Sequence, residues 1–210
     1  MTLETWLLFI VVSLPFAASP GPAMLFAIST ALSHGARATL CTGLANALGL
    51  TVIGLLVGLG MAAALAGSAW ALTAMKIIGG GYLIYLGLKL WRDPRAFLAA
   101  PESAATPGRA PLGRLAGQAL LIALTNPKSP VIYAALFPAF LSLEEAVFAQ
   151  VLILSASFAA LCAGFHALIA VTGASLRRYL SAPHRARLLR RSLGAGFIGF
   201  GAALAVSARA

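Results

Sequence analysis

The chain has 210 residues, of which 60% are hydrophobic and 10% charged, with a mean hydropathy of +0.94. Such a composition excludes a soluble globular domain, and the length leaves no room for one beside several bilayer-crossing helices of roughly 20 residues each. The formal net charge of +10 does not mark a nucleic-acid binder. Nearly all Lys and Arg fall between apolar stretches, where membrane lipid and topology account for them.

The first apolar stretch begins at Leu3 and continues past Pro20 toward Ser33, with Glu4 and no basic residue at its start. A cleaved signal peptide has a shorter apolar core preceded by positive charge, so this stretch is expected to be a span. Hydropathy and periodicity predict helices over about 3–32, 38–65, 69–90, 114–141, 146–174 and 192–208. The first, second, fourth and fifth exceed a perpendicular crossing, so they must tilt, break or extend beyond the bilayer. Tight hairpins are expected near Gly67 and Ser142. The polar, Pro- and Ala-rich link from Trp91 to Gly113 is expected to be a mobile loop. The predicted class is thus an all-α integral membrane protein with a single domain over 1–210.

Basic residues set the orientation. Arg37 lies in the first connection; Lys89, Arg92, Arg95, Arg109 and Arg114 flank or fill the third; Arg177, Arg178, Arg185, Arg187, Arg190 and Arg191 lie in the fifth. The opposite side carries Arg209 with Glu4, Glu144 and Glu145. The positive-inside rule then puts the basic connections in the cytoplasm and both termini outside. Six spans divide into halves of three, an odd number, so halves of like fold run in opposite directions. The sequence therefore predicts two inverted three-helix repeats, about 1–91 and 114–210, joined by a cytoplasmic loop of about 92–113.

Each half contains a proline-broken first helix. In Ser19-Pro20-Gly21-Pro22 the prolines leave the carbonyls of Phe16 and Ala18 without helical donors. Gly21 between them permits backbone geometry closed to other residues. Freed carbonyls can accept from an ammonium, and the amides opening the half-helix near Pro22 can bind a carboxylate; an amino acid carries one group for each. A lone proline would suggest only a packing kink, whereas two paired breaks suggest a midplane site.

The second break, Asn126-Pro127-Lys128-Ser129-Pro130, frees the carbonyls of Ala123 and Asn126. Lys128 sits too deep in its span for its stem to snorkel, and an uncompensated cation there costs from about 3 to above 10 kcal/mol. Its partners are freed carbonyls, Asn126 or a substrate carboxylate. It either binds substrate or locks the two broken helices together. Asn46 is a further polar candidate for substrate binding, and Thr51, Gln118, Thr125, Ser155 and Ser157 offer polar contacts or interhelical hydrogen bonds. His166 is the group deep in the spans that titrates near neutral pH, which makes it the proton-coupling candidate; the alternative is a neutral histidine at a helix contact. Lys76 lies near enough to a helix end to snorkel outward, or else points inward.

Cys41 and Cys162 are expected to be free, buried, inert thiols. Gly54, Gly58 and the run Gly79-Gly80-Gly81 permit close helix packing within a protomer or across a homodimer. No nucleophile–base pair, metal-ligand cluster or phosphate loop is visible in the sequence, so neither an enzyme nor a cofactor or metal is implied.

The chain resembles the LysE/RhtB family of amino-acid exporters along nearly its whole length. The resemblance rests on Ser19-Pro20-Gly21-Pro22, the segment from Lys76 through Gly79-Gly80-Gly81 to Gly87, Asn126-Pro127-Lys128, Phe137-Pro138-Ala139-Phe140 and Arg190-Arg191-Ser192-Leu193-Gly194. It implies a small bacterial inner-membrane exporter of amino acids or related metabolites, driven by the proton gradient, with both termini periplasmic. Two positions depart from the pattern. Ala23 follows Pro-Gly-Pro where many relatives carry Asp or Asn, and Leu50 follows Gly49 where many carry a polar or acidic residue. With no acidic partner for a second ammonium, a neutral amino acid or derivative is the expected substrate rather than a basic one. The alternatives are efflux of another small solute or an inorganic cation, or a non-transporting membrane scaffold.

Overall fold

The computed structural model describes residues 1–19, 21–67, 69–92, 111–126, 128–142, 144–180 and 182–207. Its elements are α1 (Leu3–Ala18), α2 (Pro22–Gly67), α3 (Ala69–Arg92), α4 (Leu112–Thr125), α5 (Lys128–Phe140), α6 (Val147–Leu180) and α7 (Pro183–Ser207). Among the described residues there is no strand. The expected loop lies outside them from 93 to 110.

Both predicted breaks appear as bends. α1 meets the segment Pro22–Ala31 at 67°, and α4 meets α5 at 54°. Pro22 is the first residue of α2 and Pro130 lies in the first turn of α5, where a missing N–H leaves no helical bond unmade. Pro15 and Pro138 sit inside α1 and α5 without ending them. A proline alone therefore does not break these helices. The breaks fall where Ser19 or Asn126, with extended backbone, stands just before the proline.

Three boundaries differ from expectation. The gap predicted between the first and second helices shrinks to one residue, Gly35, at φ 78° and ψ −178° inside α2. That left-handed φ favours glycine. Gly21 has no positive φ, and a Cβ there would meet Lys128 Cδ at an ordinary 3.7 Å. The special backbone expected at Gly21 is thus found at Gly35 instead. The basic connection before the last helix is largely helical, with α6 running to Leu180 and α7 starting at Pro183. His184, Arg185, Arg187 and Arg191 are exposed on that helical extension.

Glycines set the helix packing. α2 runs antiparallel to α6 with Gly43 against His166, Gly54 against Ser155 and Gly58 against Val151; a Cβ on these glycines would approach within 2.7, 2.4 and 2.5 Å. α3 runs antiparallel to α7, with Gly80 on Gly201 and Gly87 on Gly194, each 2.6 Å from the partner's carbonyl oxygen by the same measure. Of the glycines expected at packing faces, Gly54, Gly58 and Gly80 are used within the chain, whereas Gly81 faces open space. α4 lies on α2 through Gly49 and Ala123. The core where these pairs meet is aromatic, with edge-to-face contacts of Phe9 with Phe140 (5.3 Å) and Phe16 with Phe197 (4.5 Å).

The outer surface is apolar. Leu40, Leu44, Leu48, Val52, Leu56 and Leu59 form an exposed stripe along α2, a face suited to hydrocarbon. Among the described residues, Ser33–Met61 and Val147–Thr172 are long and apolar enough to cross a bilayer, and the number rises to four if each bent pair is one span. The architecture is that of an all-α membrane protein. At one end the Met1 ammonium pairs with Glu145, beside a turn closed by Gln150, whose side chain bonds the Ser142 amide (3.0 Å) and carbonyl (2.8 Å). The end of α3 is tied to α7 by the Trp91 indole, which donates to the Arg191 carbonyl at 2.8 Å.

Gly87→Leu should force α3 and α7 apart, because its Cβ meets backbone rather than a movable side chain. Overpacking of this kind costs about 1–3 kcal/mol and should lower the thermal unfolding midpoint in detergent. Gly81→Leu, with nothing within 4 Å of its Cβ, should leave it unchanged.

Candidate functional site

Both breaks are capped locally. The Ser19 hydroxyl donates to the Phe16 carbonyl at 2.8 Å, and the Ser19 amide approaches the same oxygen at 3.4 Å. In the second break the Asn126 side-chain oxygen accepts from the Lys128 amide at 3.1 Å, and its carbonyl accepts from Ser129 at 3.2 Å. Each cap replaces partners that the proline chemistry removes.

Lys128 joins the two breaks. Its ammonium donates to the Ser19 carbonyl at 3.0 Å and to the Ser19 hydroxyl, and lies 3.5 Å from the Phe16 carbonyl. The same ammonium stands 5.8 Å from the centre of the Phe197 ring on α7, within cation–π range. Among the described residues its partners are neutral oxygens and a ring, so its charge is solvated but not neutralised.

Ser19, Gly21, Asn46, Asn126, Lys128 and His166 line one cavity. Pro22 opens α2 outside this lining, and Pro20 and Pro127 lie outside the described residues, as does the Lys76 side chain. The cavity has about 50 Å³ for water-sized molecules, room for a few waters but not for an amino acid without movement of its walls. Phe16, Leu50, Ile132, Phe158, Phe165 and Ile169 supply apolar walls, and no carboxylate is among the lining residues. Ala23 and Leu50, the two departures from the family pattern, both line it.

Asn46 is 2% exposed, and its side-chain oxygen has no partner. A buried amide oxygen left unpaired is costly, so Asn46 is an acceptor available to a ligand. The Nδ1 of the His166 ring lies 2.8 Å from the Cys162 carbonyl, one turn back on the same helix. Gly43 leaves the space into which His166 packs.

Ser129 and Cys162 also line the cavity and were missed as site residues. Cys162 stands four residues before His166, hence on the same helical face, and Ser129 adjoins Lys128. Both cysteines are free and half-buried rather than fully buried. Three of the other polar candidates make hydrogen bonds within the bundle. Ser157 accepts from the Trp6 indole at 2.9 Å, while Thr51 and Thr125 donate back to their own helices at 3.0 and 2.7 Å.

Two bent helix pairs meeting at a cavity with a few polar groups, inside an apolar bundle, define a multi-pass membrane protein with a candidate site at its helix breaks. The chain belongs to the LysE type translocator family, whose model matches residues 14–208. It is 36% identical over 211 residues to an uncharacterized membrane protein of Vibrio cholerae, covering 99% of each chain. It is 32% identical over 207 residues to the homoserine/homoserine lactone efflux protein of Salmonella typhimurium, covering 98% of each. A leucine efflux protein of an Enterobacter species is 28% identical over 189 residues, covering 89% of this chain and 88% of the relative. No solved structure matches the chain.

Asn126→Ala removes the cap that begins α5. Loss of such a cap costs about 0.5–2 kcal/mol, and the purified variant should unfold at a lower temperature than the parent, with Asn126→Asp restoring most of the difference.

Proposed function

We propose that this chain is a secondary active exporter of neutral amino acids or closely related small metabolites, a transporter and not an enzyme, in the bacterial inner membrane. The observation that carries the reading is Lys128, a cation held by neutral oxygens in a cavity without a carboxylate, beside the unpaired oxygen of Asn46. A zwitterion matches that pair, with its carboxylate on Lys128 and its ammonium on Asn46. The amides that open α2 after Pro22 add to the anionic subsite. Backbone carbonyls at the breaks near Pro20 and Pro127 add to the cationic one. The apolar walls receive the side chain. Family membership and relatives named for the efflux of homoserine, homoserine lactone and leucine support a small neutral cargo.

With α3 and α7 as the remaining crossings, the spans number six and form two inverted repeats. The antiparallel pairing of α2 with α6 and of α3 with α7 supports this arrangement, since each pair joins counterparts from the two halves. The Met1–Glu145 and Trp91–Arg191 contacts support a topology with both termini periplasmic and the basic connections cytoplasmic. Alternating access arises as one half moves against the other. Lys128 links them: a carboxylate that competes with Ser19 for the ammonium loosens the tie between the two breaks, so binding is coupled to movement. His166 carries the coupled proton. One of its ring nitrogens faces the Cys162 carbonyl, and the ring has a second nitrogen at which a proton can be taken up or released in the cavity it lines.

Lys128→Ala should abolish amino-acid efflux from cells and from vesicles with an imposed proton gradient, with the protein still present in the membrane. Normal export by that variant would overturn the site. Homoserine lactone, which has no carboxylate, should lose less than homoserine if both are cargo. For His166→Ala, transport should lose its pH dependence; an unchanged profile would remove the residue from proton coupling.

A further inference from the structure

Beyond the cavity, α2, α5 and α6 contribute residues in successive layers. Leu50, Ile132 and Phe158 still line the cavity. One turn farther from Asn46 along α2 lies Gly54, against Tyr133 of α5 and Ser155 of α6; the next layer is Gly58, Phe137 and Val151. The layers lead toward the beginning of α6, next to the turn where Met1 meets Glu145.

The middle layer is chemically odd. Tyr133 and Ser155 are both 0% exposed, and neither hydroxyl has a hydrogen-bond partner. Both crowd Gly54, where a Cβ would lie 2.4 Å from Ser155 Oγ and 2.9 Å from Tyr133 Cζ. Phe and Ala would fill the same space without stranding two polar atoms, so packing does not account for the hydroxyls. Buried groups of this kind are almost always paired. Separation of α2 from α6 here would open both hydroxyls to new partners, and Gly54 itself carries no side chain that would hinder that movement.

We infer that Tyr133 and Ser155 form a second, transient polar site on the route out of the cavity, closed in this structure at Gly54, which receives the charged head group of a departing zwitterion. This inference rests on the exporter reading. Each hydroxyl can both donate and accept, so the pair serves either the ammonium or the carboxylate. Closing the layer strands both hydroxyls and opening it satisfies them, which keeps the closed state from being too stable to leave.

The test uses native Cys162, which lines the cavity, in a Cys41→Ser background. A membrane-impermeant methanethiosulfonate is applied from each face, using intact cells and inverted vesicles, and neutral amino-acid efflux is measured in parallel. The double variant Tyr133→Phe/Ser155→Ala should slow labelling from the Met1–Glu145 face roughly tenfold or more, the scale expected when two buried hydroxyls are no longer stranded. Labelling from the other face should not change, and maximal export should fall with little change in the concentration giving half-maximal rate. Gly54→Ala, which cannot close against Ser155, should label faster from the Met1–Glu145 face. Equal labelling in all three proteins, or none from that face in any, would overturn the gate. Lys128→Ala separates the two ideas. Abolished export with no labelling difference among the gate variants defeats the gate alone, while a labelling difference with normal Lys128→Ala export defeats the exporter site alone.

Discussion

An ammonium inside an apolar bundle must be met by oxygen, and the centre of this protein is arranged around the oxygens that Lys128 finds. A continuous helix would offer none, because its carbonyls are consumed by its own amides. The break at Ser19 turns a carbonyl and a hydroxyl toward α5, and the break at Asn126 starts α5 with Lys128 in its first turn. Neither break suffices alone. One half supplies the charge and the other supplies its solvation, while Phe197 brings α7 to the same point. The site is therefore built across the two halves of the chain.

The frame that holds this arrangement depends on missing side chains. Glycines on α2 meet α6 and α4, and glycines on both α3 and α7 meet each other, at distances where a Cβ would collide with its neighbour. In lipid no hydrophobic effect draws helices together, so close packing of backbone supplies much of the association. Glycine contacts also leave smooth surfaces. At these points α6 seats His166, Ser155 and Val151 directly on the α2 backbone, so the two helices approach more closely than side chains on both would allow.

Much of the fold was legible in the sequence because prolines and long apolar runs act locally. The breaks at Ser19 and Asn126 were readable, since paired prolines with a capping residue leave few other solutions. Pro15 and Pro138 show the limit: the same residue type inside α1 and α5 leaves the helix intact. Of the site, Lys128, Asn46 and His166 stood out as polar groups deep in apolar segments. Which carbonyls Lys128 would take was not readable, as that depends on the bend between α1 and α2. The glycine run at Gly79 to Gly81 was recognised as a packing face, but its pairing with Gly201 is a matter of tertiary register. Ser155 was legible only as a polar group in a span and Tyr133 not at all, because an unpaired hydroxyl is defined only by its surroundings.

The glycines of α2 also divide that helix into two kinds of position. Gly43, Gly49, Gly54 and Gly58 are closed to any larger residue by direct contact with α6 or α4. Between them, Asn46 and Leu50 project into the cavity, and Ala23 lines it from the start of the same helix. The residues that hold the bundle together are thus different from those that line the cavity, though they alternate along a single helix. A lineage built on this plan can vary the lining of its cavity at a few positions while its scaffold stays fixed, so such variation need not pass through unstable intermediates.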